Sequence, residues 1–204
     1  MEPSNLLAYE TKYWNAGLTL LAGADEAGRG PLAGPVYAAA VILRPGTDIL
    51  GLTDSKKLSE KKREYYFDVI RETALSYAIA SVDQTVIDKI NILKAAHLAI
   101  KHALEGLSPR PEFALIDGNS IGELCCEREL IVKGDAKSLS IAAASVLAKV
   151  ARDRFMLELD KQYPQYGFAK HKGYPTKAHY EAIAQYGPCP AHRTSFRLYR
   201  QVAG

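Results

Sequence analysis

Four carboxylate side chains stand in comparable places along this chain, each just beyond the end of a short apolar run. Such runs predict buried strands, and ligand sites in α/β proteins collect where strands end. A group of aspartates and glutamates without histidine or thiol favours hard cations such as Mg²⁺ and Mn²⁺. Two such ions about 4 Å apart can activate water against a phosphodiester. The acids are Asp25 and Glu26 after residues 18–24, Asp117 after residues 113–116, and Asp135 after residues 130–132.

Residue chemistry alone leaves a second interpretation open, because single acids at strand ends are commonly solvated caps or turn residues. Asp25 and Glu26 are also adjacent, and adjacent side chains of a regular strand point to opposite faces of the sheet. They can share a site only if the chain bends near them. Residues 27–30 include two glycines that allow such a bend.

Apolar periodicity and turn signals predict an α/β chain with a sheet and a helical C-terminal portion. Ser59 stands directly before a helical pattern, where its side-chain oxygen can cap the first turn, and Ser138 opens the most helical segment of the chain. In the segment that follows Ser138, a stripe of mostly small residues that includes Ser145 and Phe155 would let the helix lie close against the sheet. The predicted strands are 18–24, 34–43, 77–82, 113–116 and 130–132, and the predicted helices are 59–74, 91–107, 138–163 and 176–186.

Composition excludes several classes of protein. The chain has 204 residues, of which 48% are hydrophobic and 24% charged, so we expect a single folded domain over residues 1–204 rather than disorder. No apolar run approaches the roughly 20 residues of a membrane span, and the N-terminus lacks the pattern of a signal peptide. We therefore expect a cytoplasmic protein whose three cysteines are reduced thiols.

The net charge of +3 is unevenly distributed. Residues 161–204 contain seven Lys or Arg, one acid (Glu181) and six of the twelve tyrosines. Cations interleaved with aromatic rings suit a nucleic-acid backbone and its bases. The same composition also fits a tyrosine-rich packing face with solvated lysines, so charge and composition do not decide between the two.

Six longer stretches carry a more specific signal: ADEAGRGPLAGPV at 24–36, DSKKLS at 54–59, LIDGN at 115–119, KGDAKSLSIAAASVLAKVARD at 133–153, YGFAKHKGYPT at 166–176 and AHRTSF at 191–196. In this order they resemble the motifs of the ribonuclease HII family, the bacterial type 2 ribonucleases H. The resemblance extends from Leu20 to Arg197. A succession of long motifs is far more specific than a lone glycine-rich loop.

The resemblance implies a ribonuclease H-like fold: a mixed five-stranded sheet flanked by helices, with a helical C-terminal extension. It implies that Asp25, Glu26, Asp117 and Asp135 are the catalytic residues and hold two divalent ions, Mn²⁺ or Mg²⁺, around the scissile phosphate. One ion would activate water and the other would stabilise the leaving 3′-oxygen. The expected reaction is hydrolysis on the 5′ side of a ribonucleotide embedded in duplex DNA, leaving a 3′-hydroxyl and a 5′-phosphate. RNA in RNA/DNA hybrids would also be cut.

The resemblance also implies substrate contacts. Gly28, Arg29 and Gly30 match the family's ribose-sensing loop, in which main-chain groups approach the 2′-hydroxyl that distinguishes RNA from DNA. Tyr174 matches a tyrosine that packs against the deoxyribose after the ribonucleotide. Ser55 and Lys56, with Lys57, are expected to hold phosphates, and residues from about 160 to 204 to form a basic, aromatic substrate-binding portion. Without the resemblance, these residues could be a tight turn, a core tyrosine and a solvated charge run.

Other interpretations are weaker. Ribonuclease HIII shares the acidic core, but it carries an N-terminal domain for which the 24 residues before Asp25 leave no room. A non-catalytic nucleic-acid-binding module would have no need of the intact acid set. A dinucleotide-binding loop is disfavoured because residues 23–28 lack the middle glycine of GxGxxG. His171 and His192 are predicted to be structural or phosphate-contacting. We expect a monomer that binds nucleic acid, with no membrane association and no evident clamp-docking motif at the C-terminus.

Overall fold

The structure is a computed structural model that describes residues 6–199. Its centre is a five-stranded sheet made of β1 (Leu21–Ala27), β2 (Val36–Ile42), β3 (Ser76–Val82), β4 (Phe113–Asp117) and β5 (Glu127–Ile131). The strands lie in the order β3-β2-β1-β4-β5. The pairs β1–β2 and β2–β3 are antiparallel, whereas β1–β4 and β4–β5 are parallel. The predicted mixed α/β sheet is therefore confirmed.

Helices cover both faces of the sheet and make up most of the C-terminal part. Those that the structure describes are α1 (Ala8–Asn15), α2 (Glu60–Thr73), α3 (Gln84–Ile90), α4 (Ile92–Glu105), α5 (Leu139–Gln162), α6 (Phe168–His171) and α7 (Lys177–Tyr186). Short 3₁₀ turns at Ser55–Lys57, Gly134–Ala136 and Pro164–Tyr166 connect them. The long helix α5 packs mainly on β1 and β2, and α4 packs on the opposite face.

The four predicted helices begin where their capping residues place them. Ser59, Asn91, Ser138 and Thr176 each accept a hydrogen bond from the backbone N–H three residues further on, at 3.1–3.3 Å. These bonds satisfy N–H groups that a helix start otherwise leaves without a partner. The sequence interpretation missed α1, α3 and α6, which are shorter and have weaker patterns.

Strand alternation divides the core into two layers. Ala39 and Val41 of β2 belong to the cluster under α2 and α5, whereas Ala38, Ala40 and Ile42 belong to the cluster under α4. A strand buried on both faces reads as a continuous apolar run, as the β2 sequence does. The sheet is consequently held rigidly from both sides.

Helix α5 comes unusually close to β1. A Cβ atom added to Gly23 would lie 2.2 Å from the carbonyl carbon of Ser140, so only glycine permits this distance. The predicted stripe is correct at Ser145, which is 4% exposed, but wrong at Phe155, which is 37% exposed. Beyond the sheet the buried face rotates to Arg152 and Met156, because α5 there packs on the C-terminal portion.

The strand boundaries differ most from the prediction at β1 and β5. The first strand extends to Ala27 rather than ending at Ala24, because β2 continues to pair with it through Asp25, Glu26 and Ala27. The fifth strand begins at Glu127, where it pairs with Phe113. The expected hydrophobic alternation is missing there because β5 is an edge strand with polar, exposed residues at its start.

Within residues 6–199, no helix is both long enough and apolar enough to cross a membrane. The three cysteines are free, as the sequence predicted. The two ends of the chain, residues 1–5 and 200–204, lie outside the described part. The statements about a signal peptide and a clamp-docking motif concern these ends and remain predictions.

Candidate active site

Asp25 and Glu26 lie within the regular part of β1 and point to opposite faces of the sheet. Asp25 is on the α5 side, where Ser145 donates a hydrogen bond to it, and Glu26 is on the α4 side. The chain does turn within the predicted residues 27–30, with a positive φ of +100° at Gly28, but the turn comes after both acids and does not bring them to one face of the sheet. The acids line a common cleft for another reason. Pairing of β4 with β1 ends at Ala24, so this edge of β1 is open beyond it.

Asp25 is buried in the cleft. It is 4% exposed, and its Oδ1 accepts the N–H of Glu26 at 2.7 Å. The Ser145 hydroxyl in turn lies 2.8 Å from the hydroxyl of Ser55. Burial, together with the negative charges of Glu26 and Asp117, raises the pKa of Asp25 well above its usual value. A nearby cation would relieve that electrostatic cost.

Glu26 lies at the mouth of the cleft. Its Oε1 is 3.3 Å from Nη1 of Arg29, the arginine of the glycine loop. Burial raises the pKa of Glu26, while Arg29 works in the opposite direction. The Glu26–Arg29 ion pair connects the acid site to the loop that follows β1.

Asp117 and Asp135 are connected through the backbone. Asp117 is the last residue of β4, and its Oδ1 accepts the N–H of Gly134 at 2.6 Å. Asp135 follows in the same 3₁₀ turn, is 4% exposed and lies 3.1 Å through its Oδ2 from Lys56 Nζ. Burial raises the pKa of Asp135, whereas Lys56 lowers it. Two carboxylates distant in sequence are thus held side by side.

One cavity of about 240 Å³ joins the acids to the predicted substrate residues. Three of the four acids line it, as do all of the predicted substrate-contacting residues except Lys57, whereas Asp135 adjoins it through Lys56. The lining residues are Asp25, Glu26, Ala27, Gly28, Arg29, Gly30, Ser55, Lys56, Asp117, Ser145, Lys149 and Tyr174.

The donor set of this cleft fits a hard divalent cation. Three carboxylates line the cleft and Asp135 adjoins it, with no histidine or thiol among the lining residues. Burial, together with the charges of Glu26 and Asp117, raises the pKa of Asp25, and a bound cation would reduce this cost. Among residues 6–199, however, no three His, Cys, Asp or Glu side chains are already arranged as ligands of one ion. Asp117 is engaged by Gly134, and Asp135 by Lys56. Binding a metal would require these two carboxylates to exchange partners.

The predicted substrate residues differ in accessibility. The Lys56 side chain is 76% exposed, whereas Ser55 is 3% exposed and bonded to Ser145. Tyr174 is 40% exposed, and a Cβ added to Gly30 would lie 3.6 Å from its ring. The glycine loop and the tyrosine therefore border the same part of the cleft. Ser55 is placed to orient Ser145 rather than to face a ligand alone.

Composition left open whether the C-terminal tyrosines pack in a core or form an exposed aromatic surface, and the structure contains tyrosines of both kinds. Tyr166 is buried, and Tyr163 and Tyr180 pack around the same cluster. Tyr174 and Tyr186, in contrast, are exposed. This portion is thus partly a packing core and partly an accessible aromatic surface.

Three histidines cluster beneath Tyr174: His179 and His192 are buried, and His171 is half-buried. The N–H of Cys189 donates to Nδ1 of His192 at 2.9 Å, which places the His192 ring proton on Nε2. That atom lies 3.1 Å from Nε2 of His179, whose Nδ1 is 3.0 Å from the carbonyl oxygen of Tyr174. His171 stacks on His179 with ring centroids 4.4 Å apart. In this structure His171 and His192 are therefore structural residues.

Burial lowers the pKa of all three histidines, that of His179 to about 4. Each ring is consequently neutral at physiological pH, which the hydrogen-bond directions also require. Neutral rings connected in this way fix the backbone at Tyr174.

Several residues around this cleft were not among the predicted site residues. Ser145 and Lys149 line it one helical turn apart on α5. Arg152 and Arg193 are completely buried and bind main-chain carbonyls of the loop between β1 and β2. His97 of α4 lines an adjoining small cavity with Glu26, Arg29 and Asp117. The motifs contain most of these residues, but no local pattern indicates which of them are buried or point to the site.

A sheet of this order with helices on both faces and acids grouped beside β1 and β4 defines a ribonuclease H-like nuclease fold. Ribonuclease H2 from Pyrococcus horikoshii OT3 has the same fold, with a TM-score of 0.72 and 29% identity, covering 87% of this chain and 94% of that protein. The ribonuclease HII family model matches residues 22–199. Ribonuclease HII of Endomicrobium trichonymphae is 55% identical over 194 residues, which is 95% of this chain and 92% of that protein. The chain belongs to the ribonuclease HII family.

This membership confirms the resemblance and the class of enzyme: a type 2 ribonuclease H, which is a hydrolase. A likeness to the structure of Bst-RNase HIII in complex with Mn²⁺ has a TM-score of 0.71 and 20% identity, covering 97% of this chain and 71% of that one. At that identity the likeness shows a shared fold only. The Mn²⁺ belongs to that protein.

Proposed function

We propose that this ribonuclease H hydrolyses the phosphodiester on the 5′ side of ribonucleotides embedded in duplex DNA, and cuts the RNA strand of RNA/DNA hybrids. The products would carry a 3′-hydroxyl and a 5′-phosphate. One observation carries the proposal: the cavity that Asp25, Glu26 and Asp117 line is also lined by the Gly28–Gly30 loop and by Tyr174. Cutting and ribose recognition can therefore act on neighbouring atoms of one strand.

The four acids are the proposed ligands of two divalent ions, Mg²⁺ or Mn²⁺. The chemistry expected from such ions is Lewis-acid activation of water and neutralisation of charge on the leaving 3′-oxygen. Asp25 faces the α5 side and Glu26 the α4 side, so together they border the scissile phosphate from two directions. The hydrogen bonds from Ser145 and from the backbone fix the orientation of Asp25.

Substrate recognition is assigned to the groups that border the acids. The main chain at Gly28, Arg29 and Gly30 would contact the 2′-hydroxyl, since glycines permit close approach of a sugar. The Tyr174 ring would pack on the next deoxyribose, where an added hydroxyl would crowd it. Lys56 is exposed enough to move from Asp135 to a phosphate of the incoming strand.

Residues from about 160 to 199 form the proposed remainder of the nucleic-acid surface. Lys170 and Lys177 are exposed there, as is Tyr186. Contacts of this type bind backbone phosphates without regard to sequence. We propose that they hold the duplex in register while the loop and Tyr174 select the position to be cut.

The test is cleavage of a labelled DNA duplex that contains one ribonucleotide, with Mg²⁺, Mn²⁺ or a chelator. We expect one metal-dependent cut 5′ to the ribonucleotide, absent in Asp25→Asn and retained in the matched control Asp48→Asn, which alters an exposed aspartate in the loop after β2. Cutting by Asp25→Asn, or cutting in the chelator, would contradict the mechanism.

Substrate choice separates this function from the alternatives. A ribonuclease HIII-like preference would appear as cutting of long hybrids with little cutting at a single ribonucleotide. A non-catalytic binding module would bind both duplexes and cut neither. Either result overturns the proposal.

A further inference from the structure

Two arginines are buried beneath the loop between β1 and β2, and Arg193 makes the closest contacts with it. Arg152 and Arg193 are both 0% exposed. Every side-chain hydrogen bond that Arg193 donates within the described part of the chain ends on a main-chain carbonyl. A buried cation is costly unless its donors are satisfied, so an arrangement of this kind needs a compensating role.

The carbonyls that Arg193 contacts follow one another along the loop. Its Nη2 donates to Gly28 O at 2.7 Å, and its Nη1 donates to Arg29 O at 3.0 Å and to Pro31 O at 2.8 Å. Its Nε donates to Gly34 O at 2.9 Å. Four carbonyls are thus bound by one planar group, which only the five N–H donors of a guanidinium can do.

The position of Arg193 is itself fixed by backbone pairing. Its own N–H donates to Leu32 O at 2.8 Å, and Gly34 N–H donates to Ala191 O at 2.8 Å. His192 also forms a β-bridge with Ala33. The C-terminal segment therefore runs antiparallel to the loop. This arrangement places the guanidinium of Arg193 on the buried side of the loop.

Because peptide groups are planar, the contacts of Arg193 also fix the direction of N–H groups that border the cleft. In a trans peptide the C=O of one residue and the N–H of the next point in opposite directions. Because Gly28 O and Arg29 O point inward to Arg193, the N–H groups of Arg29 and Gly30 point outward, and both residues line the cavity. No acceptor for either N–H is found among residues 6–199. Two adjacent donors are thereby left for a ligand.

We propose that Arg193 is a positioning residue that determines ribose specificity, because it holds the N–H groups of Arg29 and Gly30 toward the 2′-hydroxyl. This rests on the proposed function of the Gly28–Gly30 loop. Arg193 does not touch substrate in this role. Burial and the charge of Arg152 lower the pKa of Arg193 to about 9, which still leaves it protonated at neutral pH.

The test compares Arg193→Lys with wild type in binding two duplexes of one sequence, one containing a single ribonucleotide and one entirely DNA. Anisotropy is measured with Ca²⁺ in place of Mg²⁺, and absence of cutting is verified on a gel. Lysine keeps the charge but cannot bind four carbonyls. We expect the ratio of the two affinities to fall about tenfold, the size of one or two lost hydrogen bonds, with affinity for the DNA duplex nearly unchanged.

Asp88→Ala is the matched control for a general loss of stability. Asp88 binds the backbone and hydroxyls of Thr194 and Ser195, so the variant loosens the same segment without removing a loop contact. We expect it to keep the wild-type ratio. A folded Arg193→Lys with the wild-type ratio, or an equal fall in Asp88→Ala at the same stability, overturns the inference.

A second pair of variants covers the case in which Arg193→Lys does not fold. Gly30→Pro removes one of the two N–H donors, whereas Gly30→Ala keeps it, and the added Cβ would only touch the Tyr174 ring at 3.6 Å. The ratio must fall further in the proline variant, and equal ratios overturn the inference. If wild type itself shows no preference for the ribonucleotide, the proposed function of the loop fails instead.

Discussion

The ammonium of Lys56 lies 3.1 Å from Asp135 Oδ2, although the lysine side chain is 76% exposed and the aspartate 6%. Burial lowers the pKa of Lys56, but the hydrogen bond and charge of Asp135, with smaller effects of Asp25 and Asp54, outweigh it and raise that pKa. A mobile cation thus occupies the edge of the acid group. It competes for oxygens that the proposed ions need.

The first prediction concerns this competition. Lys56→Ala should strengthen Mn²⁺ binding in the absence of nucleic acid by about two- to fivefold, because partly exposed ion pairs contribute at most about 1 kcal/mol. The same variant should weaken binding to a hybrid duplex. Calorimetric titration measures the affinity for Mn²⁺, and fluorescence anisotropy measures the affinity for the duplex. Lys57→Ala, which changes the exposed next residue of the same turn, is the control for the Mn²⁺ titration, and weaker Mn²⁺ binding by Lys56→Ala would contradict the prediction.

A second prediction follows from the burial of Asp25. Its pKa is raised in the folded protein, so the folded state holds a proton more tightly than the unfolded state, and stability falls as pH rises through the folded pKa. At pH 7 in a chelator, Asp25→Asn should therefore increase the free energy of unfolding, on the order of 1 kcal/mol. Urea unfolding measures it, with Asp48→Asn as the exposed control. A destabilised Asp25→Asn would show that the carboxylate is not strained by its neighbours.

Local sequence signals located the starts of the four predicted helices and selected the acids. Ser59 caps its helix as predicted, and Ser138 and Thr176 cap theirs in the same way, because capping involves atoms only three residues apart. The acids were visible because each follows an apolar run. Which face of β1 each acid occupies was not visible, since it depends on where β4 stops pairing.

Long-range contacts account for what the sequence did not reveal. Glu10 of α1 is 1% exposed and accepts hydrogen bonds from both Ser138 and Ser140 at the start of α5, across about 130 residues of chain. Arg193 reaches the glycine loop over a separation of 165 residues. Neither a buried glutamate nor a buried arginine can be told from a solvated one by its neighbours in sequence. Only the fold identifies them.

A third prediction uses the buried histidines. The pKa of His179 is lowered to about 4, so between pH 4 and its ordinary value the unfolded state binds more protons, and stability falls as pH falls. The loss is complete near pH 4 and amounts to about 3 kcal/mol for this one residue. Above about pH 7 no dependence on His179 remains.

Urea unfolding at pH 7.5, 6.0 and 5.0 tests this. His179→Gln should flatten the pH dependence, whereas His102→Gln, which alters an exposed histidine at the end of α4, should leave it unchanged. If the free energy of unfolding of His179→Gln depends on pH as it does in wild type, other groups cause the loss of stability in acid.

The last prediction concerns Tyr174, whose ring borders the glycine loop and lies 5.8 Å from the guanidinium of Arg152. Removing an aromatic side chain from water contributes about 1.5–3 kcal/mol, so loss of the proposed packing on the deoxyribose in Tyr174→Ala should slow cutting at a single ribonucleotide about tenfold or more. Long hybrids offer many registers and need no deoxyribose at this position, so their cutting should fall less. Tyr174→Phe keeps the ring and should resemble wild type. Tyr65→Ala, which changes an exposed tyrosine of α2 that does not line the cavity, should leave both rates unchanged. If Tyr174→Ala slows cutting of the two substrates equally, Tyr174 does not sense the junction between ribonucleotide and deoxyribonucleotide and is a general packing residue.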